Sequence, residues 1–159
     1  MIFINRKIKW ALYFWPMVFS KSFGYALRSI LYVVMINENQ SRVQIQEVAD
    51  NLQIPKHFLG KIMKMLAKEK IIDSVKGPFG GFSVNDGTTS IPLIRLMELT
   101  DGLEQFQECS LRLRKCNADK PCPMHHRIAQ NRNELIAMFS STTVGDLIKS
   151  DDKDFIYSI

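Results

Sequence analysis

The stretch VQIQEVADNLQIPKHFLGKIMKML, residues 43 to 66, decides the fold. Within it Ile45, Val48, Ala49 and Leu52 recur at helical spacing, which predicts a short helix from about Gln44 to Asn51 with one apolar stripe. Leu52 to Pro55 is a tight connection, and Pro55 stands where a fixed φ suits the start of another helix. That helix runs from Lys56 to Lys68. Phe58, Leu59, Ile62, Met65 and Leu66 form its buried stripe, while His57, Gly60, Lys61, Lys64 and Lys68 fall opposite. From Lys56 to Lys76 there are six lysines against two acids, Glu69 and Asp73. Short helix, tight turn and basic helix make the helix-turn-helix pattern, whose second helix enters the major groove of DNA. A lysine face taken alone is more often merely solvated, so the pattern needs support from its neighbours.

That support is IIDSVKGPFGGFSV, residues 71 to 84, where two short β-prone runs flank a glycine-rich turn. The hairpin reads as a wing. With Lys76 at its base, the tip is expected along the sugar-phosphate backbone or minor groove while the preceding helix occupies the major groove. A phosphate-cradling loop is the competing reading, but the turn matches no Walker motif and opens no helix. The DNA-binding candidates are Lys56, His57, Lys61 and Lys64 on the helix, and Lys76, Gly77, Pro78, Phe79 and Gly80 in the wing.

Upstream, Phe23, Ala26, Leu27, Ile30, Leu31 and Val34 repeat at helical spacing, predicting an amphipathic helix from about Ser20 to Met35 that the polar run Asn37 to Ser41 ends. Residues 1 to 16, MIFINRKIKWALYFWP, mix basic and aromatic residues. The uncharged run from Trp10 to Trp15 is too short for a signal-peptide core or a membrane span. The segment is read as an extension outside the domain, with Met17 the natural start, in preference to an interfacial membrane-touching segment. The chain has 159 residues, 46% of them hydrophobic, enough for a real core. Its net charge of +5 includes Arg6, Lys7 and Lys9, and without those three it is only +2, so local charge has to carry the argument.

Downstream, a helix is expected with Pro92 near its first turn, ending at Gly102, with Leu93, Leu96 and Met97 on its core face. Another is expected from about His125 to Phe139. Its polar residues, among them Arg127, Gln130 and Arg132, suit a partly exposed position beside another subunit or in solvent. Thr142 or Thr143 caps a last short helix through Ile148, and the acidic tail from Asp151 is expected to fray.

Between these helices lies CSLRLRKCNADKPCPMH, residues 109 to 125, holding all three cysteines, Cys109, Cys116 and Cys122, with His125 three residues after the last. An odd count fails as a disulfide framework, and clustered thiols imply a reducing compartment, the cytoplasm. Three thiolates and an imidazole suit zinc or an iron-sulfur cluster. Structural zinc sites usually pinch two cysteines two to four residues apart, so the wider spacing here favours the larger inorganic core. Redox-active thiols without metal and incidental cysteines are the other readings.

From Met17 to about Lys149 the chain resembles the Rrf-two family of bacterial winged-helix regulators. The resemblance rests on SKSFGYALRSILYV, VQIQEVADNLQIPKHFLGKIMKML, VKGPFGGF, IPLIRLMELTDG, the three cysteines and TTVGDLI, in that order. It implies a fold that is mainly α with a small β-hairpin wing. A winged helix-turn-helix domain over 17–87 would be followed by an iron-sulfur sensor loop and dimerisation helices over 88–159. It further implies a homodimeric regulator and not an enzyme, most simply a repressor. The partner would be a pseudo-palindromic site in double-stranded DNA, with no membrane involved. The resemblance places Cys109, Cys116, Cys122 and His125 on the ligands of the family's iron-sulfur cluster regulator. It places His57 and Lys61 where that regulator's recognition helix reaches bases, and Lys76 where its wing carries an arginine. Gly24 stands where nitric-oxide-sensing relatives supply a carboxylate ligand, which favours [2Fe-2S] over a carboxylate-ligated [4Fe-4S] cluster, with zinc already less favoured by the cysteine spacing. The first cysteine spacing is one residue longer than in the cluster regulator, so that regulator's cluster type does not carry over by spacing alone; Gly60 replaces an acidic base-reader, so its operator does not transfer. A zinc-stabilised winged-helix interaction module and a small iron-sulfur electron carrier are the rival functions.

Overall fold

The computed structural model describes residues 19–37, 42–106, 119–149 and 156. The extension proposed for residues 1 to 16 lies outside them. The chain begins with α1, Lys21–Asn37, and this helix is the centre of the molecule. Sequence periodicity predicts one buried stripe, but five consecutive residues, Ser29 to Val33, are all buried. A run of that length wraps more than a full helical turn, so α1 is covered on all sides there. The Ser29 hydroxyl, buried with them, donates to the Tyr25 carbonyl at 2.6 Å and so carries no unpaired polar group into the core.

Two short helices, α2 (Ile45–Leu52) and α3 (Lys56–Lys68), pack against α1. Their connection is made by Gln53 in the left-handed conformation, φ +53°, after which the Ile54 N–H reaches back to the Ala49 carbonyl at 3.0 Å. This is a Schellman stop, and buried Ile54 follows it into the core. The same device ends α3. Lys70 sits at φ +57°, its N–H donating to the Ala67 carbonyl and the Ile71 N–H to the Leu66 carbonyl. Ile71 and Ile72, both 1% exposed, then dive into the core, so the hairpin strands begin only at Asp73.

Strands β1 (Asp73–Val75) and β2 (Gly81–Ser83) are antiparallel, with Ser74 opposite Phe82. A third member adds one residue to this sheet: Val43, just before α2, exchanges both backbone hydrogen bonds with Phe82, at 2.8 and 2.9 Å. A 3₁₀ turn at Thr88–Ser90 leads to α4, Leu93–Asp101, which opens after Pro92 and stops at Gly102 with φ +73°. Another 3₁₀ turn covers Glu104–Phe106. Helix α5 spans His125–Ser141 and α6 spans Val144–Ile148. Thr143 caps α6 with a reciprocal pair, its hydroxyl accepting from the Asp146 N–H while Asp146 accepts from the Thr143 N–H. Leu93 N–H to Thr142 carbonyl and Val144 N–H to Ile91 carbonyl tie the start of α6 to the start of α4.

The acidic tail expected to fray from Asp151 lies outside the described residues except for Ile156, which is fully buried, its carbonyl accepting from Arg28 Nε at 2.8 Å.

Candidate nucleic-acid interface and cysteine turn

Leu59, Ile62, Met63 and Leu66 hold α3 to the body, a spacing of three, one and three residues that keeps them on one stripe. The sequence phases this stripe wrongly at two places. Phe58 was assigned to the core but is 50% exposed, its ring 4.1 Å from that of His57, and Met63 takes the buried place. The helix start carries apolar residues on adjacent faces, and periodicity alone chooses either. Gly60 was placed on the cationic face. Its Cβ direction instead meets Ile45 of α2 at 3.6 Å, so it lies along the seam between the two helices.

The opposite side of α3 carries Lys56, His57, Lys61, Lys64 and Lys68, all exposed. Of the two acids nearby, Glu69 is bound by Arg95 of α4 at 2.8 Å, and Arg95 also holds Glu98 at 2.5 Å. Those carboxylates, Glu98 first, push the Arg95 guanidinium above its ordinary pKa. Asp73 accepts from the Asn85 amide at 3.3 Å. The acids at the end of α3 are thus each engaged by another side chain, and the lysine row is exposed.

The wing follows that helix in the chain. Lys76, Gly77, Pro78 and Phe79 are all exposed. Gly80 is buried beneath them, and a Cβ there would collide with the Val75 carbonyl, so its part is the shape of the turn. The Gln44 side-chain amide donates to the Gly80 carbonyl at 2.5 Å, joining the approach to α2 to the wing tip. Neither Gln44 nor Phe58 stands out in the sequence. Gln44 reads as an ordinary polar residue before a helix, and Phe58 reads as core.

The Cys122–His125 turn opens α5, with the His125 N–H donating to the Cys122 carbonyl at 2.9 Å. Both residues are partly exposed, and Cys122 is a free thiol. Cys109 and Cys116 lie outside the described residues. A thiol and an imidazole on one turn ahead of a long helix fit half of a cluster's donor set. Arg132 of α5 donates to the carbonyl of Phe106, the last described residue before segment 107–118. Further along α5, Phe139 stacks on Phe19 at 4.8 Å and meets Phe23 of α1 at 5.8 Å. No helix among the described residues is long and apolar enough to cross a membrane.

Comparison with known proteins gives this geometry a family. A family model described as Rrf2, iron-dependent transcriptional regulator, matches residues 19–150. An Aquifex aeolicus protein named as an HTH-type transcriptional regulator is 35% identical over 140 residues, covering 86% of this chain and 95% of its own. The HTH-type transcriptional regulator IscR of Escherichia coli is 21% identical over 128 residues, covering 80% of this chain and 78% of its own. Among solved structures, CymR, titled the global cysteine regulator of B. subtilis, superposes with a TM-score of 0.69 at 16% identity, over 84% of this chain and 97% of its own. A winged helix with a lysine-lined second helix, matched along nearly all its described length, is thus a transcriptional regulator, and the chain belongs to the Rrf2 family.

Proposed function

We propose that the chain is a homodimeric DNA-binding repressor that senses iron-sulfur status, oxidants or nitric oxide through a cluster held by Cys109, Cys116, Cys122 and His125. The carrying observation is the exposed lysine row of α3, with Glu69 bound by Arg95 and Asp73 by Asn85, followed by a wing hydrogen-bonded to the start of α2. Lys56, His57, Lys61 and Lys64 approach the major groove, and Lys76 with Gly77, Pro78 and Phe79 approaches the adjoining phosphates and minor groove. Two-fold symmetry of the dimer makes the operator pseudo-palindromic, with half-sites roughly one helical turn apart.

The family's description as iron-dependent supports a cluster over zinc, as does the wide cysteine spacing. A bound [2Fe-2S] cluster supplies a centre that changes charge on reduction and is lost under iron limitation or attack by oxidants. This chain's part is to couple the cluster's presence to α5. Cys122 and His125 begin that helix, Arg132 anchors the near end of the segment, and Phe139 rests on the central α1 that supports α3. A change in loop packing thereby becomes a change in the placement of two recognition helices.

Anaerobic purification, with visible absorbance and iron and sulfide analysis, tests the sensor. Gel-shift against the protein's own promoter, with and without the cluster, tests the coupling. A coloured protein whose operator affinity changes on cluster removal is expected. A colourless, iron-free protein with unaltered binding overturns the sensing half, and zinc in its place supports the interaction-module alternative.

A further inference from the structure

Phe79 is 92% exposed at the outermost turn of the wing. A single exposed apolar side chain ordinarily asks for no explanation. The segment carrying this one, however, is built to hold it out. Pro78 fixes the backbone before it. Behind it the Gly80 N–H donates to the Gly77 carbonyl at 3.0 Å and closes the turn. Gly77 and Gly81 take φ of +110° and +140°, which side-chain-bearing residues adopt only under strain. The Gln44 amide on the Gly80 carbonyl and the Val43–Phe82 pair then brace the turn against the body. Folding the ring back onto the protein would break these bonds. From Val75 to Ser83 the only charged side chain is Lys76, so the ring is presented on a cationic tip.

Resting on the reading of the chain as a DNA-binding regulator, we infer that Phe79 is a minor-groove wedge. With α3 in the major groove, the wing crosses the backbone and the Phe79 ring inserts between two base pairs, partly unstacking them and bending the duplex toward the major groove. Phenylalanine is among the side chains that minor-groove proteins use as wedges, and the geometry needs a rigid, positively charged support. Burying the ring offsets the unstacking, which costs least at pyrimidine–purine steps such as TA or CA. The wing therefore selects sequence at a step where it makes no base hydrogen bond.

The test uses the full chain, purified anaerobically, and duplexes it selects from a random pool. Phe79→Ala and Phe79→Leu are compared with the parent for affinity, for salt dependence, and for bending by energy transfer between end-labelled duplex ends. 2-Aminopurine at the flanking steps reports unstacking. The alanine variant is expected to bind about tenfold more weakly, to lose the bend and the 2-aminopurine signal, and to keep the salt slope, because no ionic contact is removed. The leucine variant, still a wedge, keeps most of the bend. Equal bending and equal affinity in the alanine variant overturn the wedge while leaving DNA binding intact. A parent chain that enriches no duplex overturns the DNA-binding reading itself, and the wedge with it.

Discussion

Arg28 and Ile156 are joined across 128 residues of chain, guanidinium Nε to backbone carbonyl at 2.8 Å, while the same guanidinium gives Nη2 to the Leu52 carbonyl at 3.1 Å. One side chain of the central helix therefore ties the chain's last described residue to the end of α2. Charged donors on part-buried carbonyls each contribute about 1.5–3 kcal/mol, and their loss leaves the acceptors unpaired. Arg28→Ala is expected to destabilise the fold by about 2–3 kcal/mol, lowering the thermal midpoint by roughly 5–10 °C. Arg28→Lys restores little of this, because an ammonium lacks the planar fork that reaches both carbonyls. Thermal unfolding followed by circular dichroism measures both.

Gln53 occupies the left-handed turn between α2 and α3, where its Cβ is unfavourable. Gln53→Gly relieves that contact and is expected to raise stability by about 0.5–1 kcal/mol. Denaturant midpoints at unchanged slope decide it.

Lys61 projects from α3 into solvent with no acid of its own helix face beside it. Lys61→Ala is expected to weaken operator binding and to lower the slope of log affinity against log salt by about 1. Its visible absorbance stays that of the parent. Loss of colour in this variant would show that the reading and sensing halves are misassigned.

Cys122 is partly exposed and makes no disulfide. Serine there keeps the shape but offers a hard, protonated ligand in place of a thiolate. Cys122→Ser is expected to lose visible absorbance and acid-labile sulfide while the far-ultraviolet spectrum is unchanged. Retained sulfide at parental stoichiometry would remove Cys122 from the ligand set.

The Thr143–Asp146 cap makes an acid-dependent prediction. The Thr143 hydroxyl, then its N–H, then Lys149, hold the Asp146 carboxyl below its ordinary value. A lowered carboxyl stabilises the fold above the unfolded-state value and loses that contribution as pH falls through its folded-state value. Thr143→Ala is expected to cost about 1 kcal/mol at neutral pH. Asp146→Asn should flatten the part of the acid transition that this group supplies, read as the thermal midpoint against pH.

Much of this architecture is legible in the chain because its stops are local. Pro55 bounds the start of α3 where the apolar period does, and Pro92 and Gly102 bound α4 in the same way. What escaped the sequence depends on distant partners. Val43 forms a strand one residue long, too short to show alternation, and only Phe82 reveals it. Phe58 looks like core until the packing of Met63 fixes the helix's rotation. Ile156 follows an acidic run with no helical period to mark it as core, and its carbonyl's partner is 128 residues away. Of the cysteine site, the Cys122–His125 turn is visible in the fold. Cys109 and Cys116, on which the spacing argument rests, fall outside the described residues.

The pairing of Val43 with Phe82 makes a calliper of each protomer. It locks the jaw that carries α3 to the jaw that carries the wing tip, so the interval between the base pairs each one meets is set before any signal arrives. Natural operators for this protein should then hold their half-site length constant.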